Sequence, residues 1–315
     1  MQSSPSPRLG PLLLATASLA VACGPPAGRT PHADRVRLLA DIPEPELPDL
    51  DFADAVPESA PRRIVSLIPS CTETLFALGL GERVVGIDRW ADHPPAALEL
   101  PRLGDVNKIE VERILDLEPD LVLAFQSQAG AGAPELLRRA GIRVVHPPTE
   151  AGTDVLRGLV AVAEAAGVRE RGEALVRHIE GQIEAVRERY AGGPRPRVLL
   201  VFERHPSISV ATRTSFVHEM IEAAGAVDVS ADADPGRHFT YVDVETIVDW
   251  DPELIVDLSV GPSVGTGTGA SVDESVRFWR KVGLEVRLVP VPALSRPGPR
   301  LAASVAILAD VIHGS

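Results

Sequence analysis

The sequence is poor in aromatic residues, in cysteine and in positive charge, and each shortage closes off a class of function. Phe, Trp and Tyr make up 4% of 315 residues, so an aromatic side chain in a polar loop is unusually informative. The two cysteines, Cys23 and Cys71, cannot build a disulfide framework, and no CxxC or Cys/His spacing suggests structural zinc. Lys and Arg number 31 against 44 Asp and Glu, and the net charge of −13 is spread along the chain. That distribution lacks the basic face a nucleic acid requires. The eight histidines, among them His93, His146, His205, His218 and His238, form no HxH or HxxxH pair. No nucleophile stands beside a base, so neither a catalytic residue nor a metal ligand is assigned, and the chain is not read as an enzyme. Cys71, at the start of a helix with no base nearby, is a semi-buried thiol. The run Gly261 to Gly269 has no Lys after its last Gly, so it is not a phosphate loop.

What is present begins with a processing segment. Arg8 precedes a short apolar stretch, Leu12 to Val21, too short to span a bilayer. It ends in Leu19-Ala20-Val21-Ala22-Cys23, which resembles the lipobox of bacterial lipoproteins, with Cys23 as the lipidated residue. Residues 1–22 are therefore expected to be a signal peptide. Residues 23–61, rich in Pro and acid as in Pro43-Glu44-Pro45-Glu46-Leu47-Pro48, are expected to be an extended stalk between membrane and folded domain.

From Arg62 onward, short apolar runs alternate with helix-period segments, which predicts an α/β fold with mostly parallel sheets. The plan occurs twice. Glu112-Arg-Ile-Leu-Asp-Leu-Glu-Pro119-Asp-Leu-Val matches Glu245-Thr-Ile-Val-Asp-Trp-Asp-Pro252-Glu-Leu-Ile, with Glu and Pro at one offset (245 − 112 and 252 − 119, both 133). Arg63-Ile-Val-Ser-Leu likewise matches Arg197-Val-Leu-Leu-Val, and Leu137 to Val145 matches Trp279 to Arg287. Three matches in one order predict two similar lobes, 62–154 and 193–315. Residues 155–192 between them read as helix, with Leu175, Val176, Ile179, Ile183 and Val186 at helical spacing. Two lobes tied by one backbone helix, with a ligand cleft between them, should hinge very little.

The stretch Arg63-Ile-Val-Ser-Leu-Ile-Pro-Ser-Cys-Thr-Glu-Thr-Leu-Phe-Ala-Leu-Gly-Leu-Gly-Glu-Arg-Val-Val-Gly-Ile resembles the opening of periplasmic cobalamin-binding proteins of ABC importers. So do Asp92-His93-Pro94-Pro95, Leu115 to Leu123, and Ser295-Arg296-Pro297-Gly298-Pro299-Arg300. Their superfamily also carries haem and ferric siderophores. The resemblance implies an extracytoplasmic monomer that captures cobalamin or a related corrinoid as transported ligand, needs no cofactor and delivers to a permease dimer. It implies ligand contacts at Trp90, Phe125, Phe202, Phe239 and Arg296. It also implies permease docking through Glu112 and Glu245. Val106 and Ala293 stand where the best-known cobalamin binders carry further tryptophans. Strand-end phenylalanines also cap cores, and a first-turn Glu also suits a helix dipole. Trp250 and Trp279, aligned with Leu117 and Leu137, read as packing residues. The alternative within the same fold is a haem or ferric-siderophore carrier; a siderophore would favour a basic pocket, for which Arg89, Arg204, Arg237, Arg296 and Arg300 are the candidates.

Overall fold

Ile64, Val65, Leu121, Val122 and Leu123 are all fully buried, the pattern of strands covered on both faces. In the computed structural model, which describes residues 35–105, 107–125, 127, 132–148, 154–204, 207–260 and 270–314, they sit in a four-stranded parallel sheet. Its strands are β2 (Ile64–Ser66), β3 (Val84–Ile87), β4 (Leu121–Leu123) and β5 (Arg143–Val145), in the order β3-β2-β4-β5. Helix α1 (Pro69–Ala77) covers one face. Helices α2 (Val111–Asp116) and α3 (Gly132–Arg139) cover the other through Ile114 and Leu137.

The second lobe repeats this order. Strands β6 (Arg197–Glu203), β8 (Val227–Asp228), β10 (Leu254–Asp257) and β11 (Val286–Leu288) run parallel in the order β8-β6-β10-β11. Helix α6 (Phe216–Ala223) lies on one face, and α7 (Val244–Asp249) with α8 (Val272–Val282) on the other. There Ile247 and Trp279 take the places of Ile114 and Leu137, so Trp279 packs in the core as its alignment indicates. Its indole N–H donates to the buried Asp257 carboxylate at 2.6 Å. Trp250 is partly buried against the same cluster.

The duplication reaches the backbone. Glu118 and Asp251, at the same 133-residue offset, are the two non-glycine residues with positive φ among the described residues, both at 44°. Each precedes the proline of its repeat. Left-handed backbone costs a non-glycine residue about 1–2 kcal/mol, so the two lobes hold the same strained turn. Both turns are gripped alike. Arg63 Nε donates to the Leu117 carbonyl at 2.9 Å, and the Arg197 guanidinium donates to the Trp250 carbonyl at 2.5 Å. Asp120 and Glu253 accept the backbone N–H groups of Arg63 and Arg197.

Two features go beyond the repeat. Strands β7 (Ile208–Ala211) and β9 (Phe239–Val242) extend the second sheet antiparallel past β6. At its other edge, β1 (Val36–Leu38) pairs in parallel with β11. This corrects the stalk expected over 23–61: residues 35–61 lie against the folded body. Leu39, Ile42, Leu47, Leu50 and Val56 pack on its core, and Arg171 reaches back to the ring of Phe52. Pro-rich, acidic composition shows that a segment cannot bury a core of its own; it does not prevent the segment from docking on another. Cys23, Val106, His205 and the run 261–269 lie outside the described residues.

Between the lobes run α4 (Val155–Ala165) and the 22-residue α5 (Arg169–Tyr190), the helix the spacing predicts. With α1, α6 and α9 (Leu301–His313) they enclose one hydrophobic cluster that includes strand residues of both lobes, such as Ile64, Leu121, Val198 and Val256. Among the described residues, no helix is long and apolar enough to cross a membrane.

Candidate ligand-binding site

In parallel α/β sheets, ligands lie beyond the carboxyl ends of the strands. Such ends in the second lobe surround an open cavity of about 290 Å³. Phe202 and Glu203 close β6, Leu258 and Val260 follow β10, and Pro290, Val291 and Pro292 follow β11. Ser209, Phe239 and Ser295 complete the lining. The rings of Phe202 and Phe239 meet edge to face, with centroids 4.9 Å apart, a favoured aromatic geometry. Two of the expected ligand contacts are thus brought together across the antiparallel strands β7 and β9, which the repeat itself does not contain.

The expected contacts of the first lobe are not part of this lining. Trp90 is half-buried in the loop after β3, its backbone N–H donating to the Asp88 carboxylate and the Arg89 guanidinium 5.9 Å from its ring. Phe125 follows β4 and packs against the shared core. Its carbonyl lies 2.8 Å from His146 Nδ1, while Arg138 lies 2.7 Å from His146 Nε2. Arg138 can only donate, so Nε2 accepts from it and Nδ1 faces the carbonyl. That Nε2 is occupied and offers no lone pair to a ligand metal.

Arg296 departs from the expected ligand contact. Its guanidinium is buried and bonded to Glu73 at 2.7 Å and to Asp92 at 2.6 Å. Arg300, also buried, donates to both oxygens of Glu73, at 2.9 and 2.6 Å, and to Glu44 at 2.5 Å. Glu73 lies on α1 of the first lobe, the arginines lie just ahead of α9, and Glu44 belongs to the docked segment. The Ser70 to Glu73 stretch and the Ser295 to Arg300 motif therefore join the lobes. Burial pulls the Arg296 guanidinium toward losing its proton, but Glu73 and Asp92 outweigh it and raise its pKa. Burial likewise raises Asp92, yet its bond to Arg296 holds that carboxylate below the usual range. Ala293 is buried beside this junction, its N–H bonded to Glu44, so it is not a ligand-facing position.

The other arginines considered for a basic pocket are also paired. Arg89 meets Asp105 at 3.3 Å, Arg237 meets Asp234 at 3.7 Å, and buried Arg204 meets Asp257 at 3.3 Å. None of the five lines the cavity.

Glu112 and Glu245 occupy equivalent exposed positions on α2 and α7, and neither makes an ion pair among the described residues. Three residues on, Leu115 and Val248 are exposed as well, at 39% and 48%. Beneath them Ile114 and Ile247 are fully buried. Each lobe thus shows a carboxylate and an aliphatic side chain one helical turn apart on the same face.

The comparisons with known proteins follow this geometry. A family model described as periplasmic binding protein matches residues 64–266. The chain belongs to that family. It is 29% identical over 310 residues to the uncharacterized ABC transporter substrate-binding lipoprotein YvrC of Bacillus subtilis, covering 96% of this chain and 95% of that protein. The periplasmic haem-binding protein RhuT of Roseiflexus sp. RS-1, in apo form, is similar with a TM-score of 0.64 and 29% identity, over 79% of this chain and 96% of that one. The periplasmic vitamin B12-binding protein BtuF of Vibrio cholerae is similar with a TM-score of 0.61 and 26% identity, over 79% and 96%. These matches bear out the two-lobed α/β fold, and neither the family nor its neighbours indicates a cofactor.

Reasoning from the sequence missed Glu73 and Arg300 as partners. The available signal was an acid set among apolar residues in Cys71-Thr72-Glu73-Thr74-Leu75, a place where only a buried cation makes a carboxylate tolerable. The histidines serve locally. His218 lies 3.0 Å from the Asp228 carboxylate, and His238 Nδ1 lies 2.9 Å from the Thr214 carbonyl. Burial, and then the charge of Arg300, hold His93 below the ordinary range. Cys71 is fully buried in the core.

Proposed function

We propose that this periplasmic binding protein captures cobalamin or a related corrinoid and delivers it to the permease dimer of an ABC importer, doing no chemistry itself. The observation that carries this reading is the cavity: two aromatic rings and three residues of a Pro-Val-Pro run, with no basic residue among the described residues of the lining. A broad amphipathic macrocycle edged with neutral amides suits such walls. Haem carboxylates and anionic ferric siderophores call for unpaired cations, and the five candidate arginines are paired. Trp90 and Phe125 form the facing wall on the first lobe. Glu112 and Glu245 dock on basic groups of the two permease subunits, a reading supported by their equivalence on two similar lobes. Such rim charges set register and encounter rate. The protein acts as an extracytoplasmic monomer held by lipid on Cys23, which the lipobox-like sequence and the lipoprotein YvrC support.

Titration calorimetry of the detergent-solubilised full-length protein tests this, with cyanocobalamin, haemin and a ferric hydroxamate compared side by side. Tight one-to-one binding of cyanocobalamin, weakened by Trp90→Ala, Phe202→Ala and Phe239→Ala, is the expected result. Binding of haemin with none of cyanocobalamin would favour the second reading, a haem carrier of the same fold. The similarity to RhuT supports that alternative.

A further inference from the structure

Strands β6 and β7 pair out of step. Val201 faces Val210 and Glu203 faces Ser209, so Phe202 is the extra residue of a β-bulge. On a regular strand, neighbours point to opposite faces. Here Phe202 and Glu203 both line the cavity. The bulge brings Phe202 and Glu203 side by side at one edge of the ligand space. Among the described residues, Glu203 is the one charged residue of that lining. It is half-buried, and its side chain has no hydrogen bond or ion pair among the described residues. The remaining polar side chains of the lining are the hydroxyls of Ser209 and Ser295, and the Ser295 hydroxyl already donates to the Pro292 carbonyl at 2.9 Å. A ligand seated against Phe202 and Phe239 would strip water from the Glu203 carboxylate. That loss is offset only if the ligand supplies N–H or O–H donors, because a desolvated carboxylate left unpaired is costly.

We propose that Glu203 selects the edge of the ligand. Its carboxylate accepts hydrogen bonds from a primary carboxamide and turns away a ligand that brings a carboxylate to the same point. This rests on the corrinoid reading above and adds the residue that discriminates. The rejection has two sources, repulsion between like charges and the loss of a charge-assisted hydrogen bond.

The test uses cyanocobalamin and its monocarboxylates, in which one peripheral carboxamide has been hydrolysed, titrated into full-length protein in detergent. Wild type should bind at least one monocarboxylate isomer about tenfold or more weakly than cyanocobalamin, which is about 1.4 kcal/mol. Glu203→Gln and Glu203→Ala should reduce that penalty to roughly threefold or less, while Glu203→Asp, which keeps the charge, should retain it. Melting curves of all three variants establish that they fold. If wild type binds cyanocobalamin and the penalty is the same in Glu203→Gln and Glu203→Ala, the selecting role is overturned and the ligand reading stands. If wild type does not bind cyanocobalamin, both fall together.

Discussion

Glu73 is the residue on which the lobe junction turns, because two buried guanidiniums share its carboxylate. Glu73→Ala leaves both charges short of a partner, a change that costs about 3–5 kcal/mol in a buried pair. Urea unfolding should show that loss, whereas the same change at exposed Glu112 should alter stability by less than about 0.5 kcal/mol. Asp88, just ahead of Trp90, behaves differently. Burial pushes its carboxyl up to about 7 from an ordinary 3.8, against the N–H groups of Ala91 and Trp90 that favour the charged form. Between those two values the folded protein holds a proton that the unfolded chain has released. Its contribution is therefore greatest below pH 4, falls as pH rises to 7, and is constant above. The slope is at most about 1.4 kcal/mol per pH unit. Asp88→Asn should flatten the fall in melting temperature between pH 4 and 7. An unchanged profile would show that another group sets it.

Among the elements, the docked segment 35–61 and the repeated helices make separate demands. A chain beginning at Gly24 keeps β1, Glu44 and the apolar contacts of Leu39, Ile42 and Leu47, while one beginning at Ala60 loses them. The shorter chain should melt several degrees lower, at about 2–4 °C per kcal/mol lost for a protein of this size. Equal melting temperatures would show that the segment contributes nothing. The exposed carboxylates that α2 and α7 carry, Glu112 and Glu245, should be dispensable for stability and ligand capture. With Glu112→Ala and Glu245→Ala together, cyanocobalamin affinity should stay within about twofold of wild type. Stimulation of ATP hydrolysis by the reconstituted permease should fall by more than about tenfold and become less sensitive to salt. The helix from Arg169 to Tyr190 was legible because its apolar residues keep one face. β1 was not, because three residues among prolines and acids give no period to read.

At the scale of the molecule, one hydrophobic cluster runs through both lobes along α4, α5 and α9, and the Glu73 junction bridges them on ion pairs. Opening the lobes would break both, so ligand binding should change the radius of gyration in X-ray scattering by no more than about 1 Å. A contraction of several ångströms would overturn that stiffness. The sequence by itself determined the duplicated α/β plan, the bridging helix and the packing places of Trp250 and Trp279. Those follow from period, offset and strand-end position, which are local properties of the chain. Only the tertiary structure decided what the motifs do. Arg296 and Arg300 read as pocket cations until α1 brings Glu73 against them, and Glu203 is an ordinary strand residue until a bulge turns it toward the cavity. Pairing of a charge and the face of a strand depend on what packs opposite, and that partner lies far away in sequence.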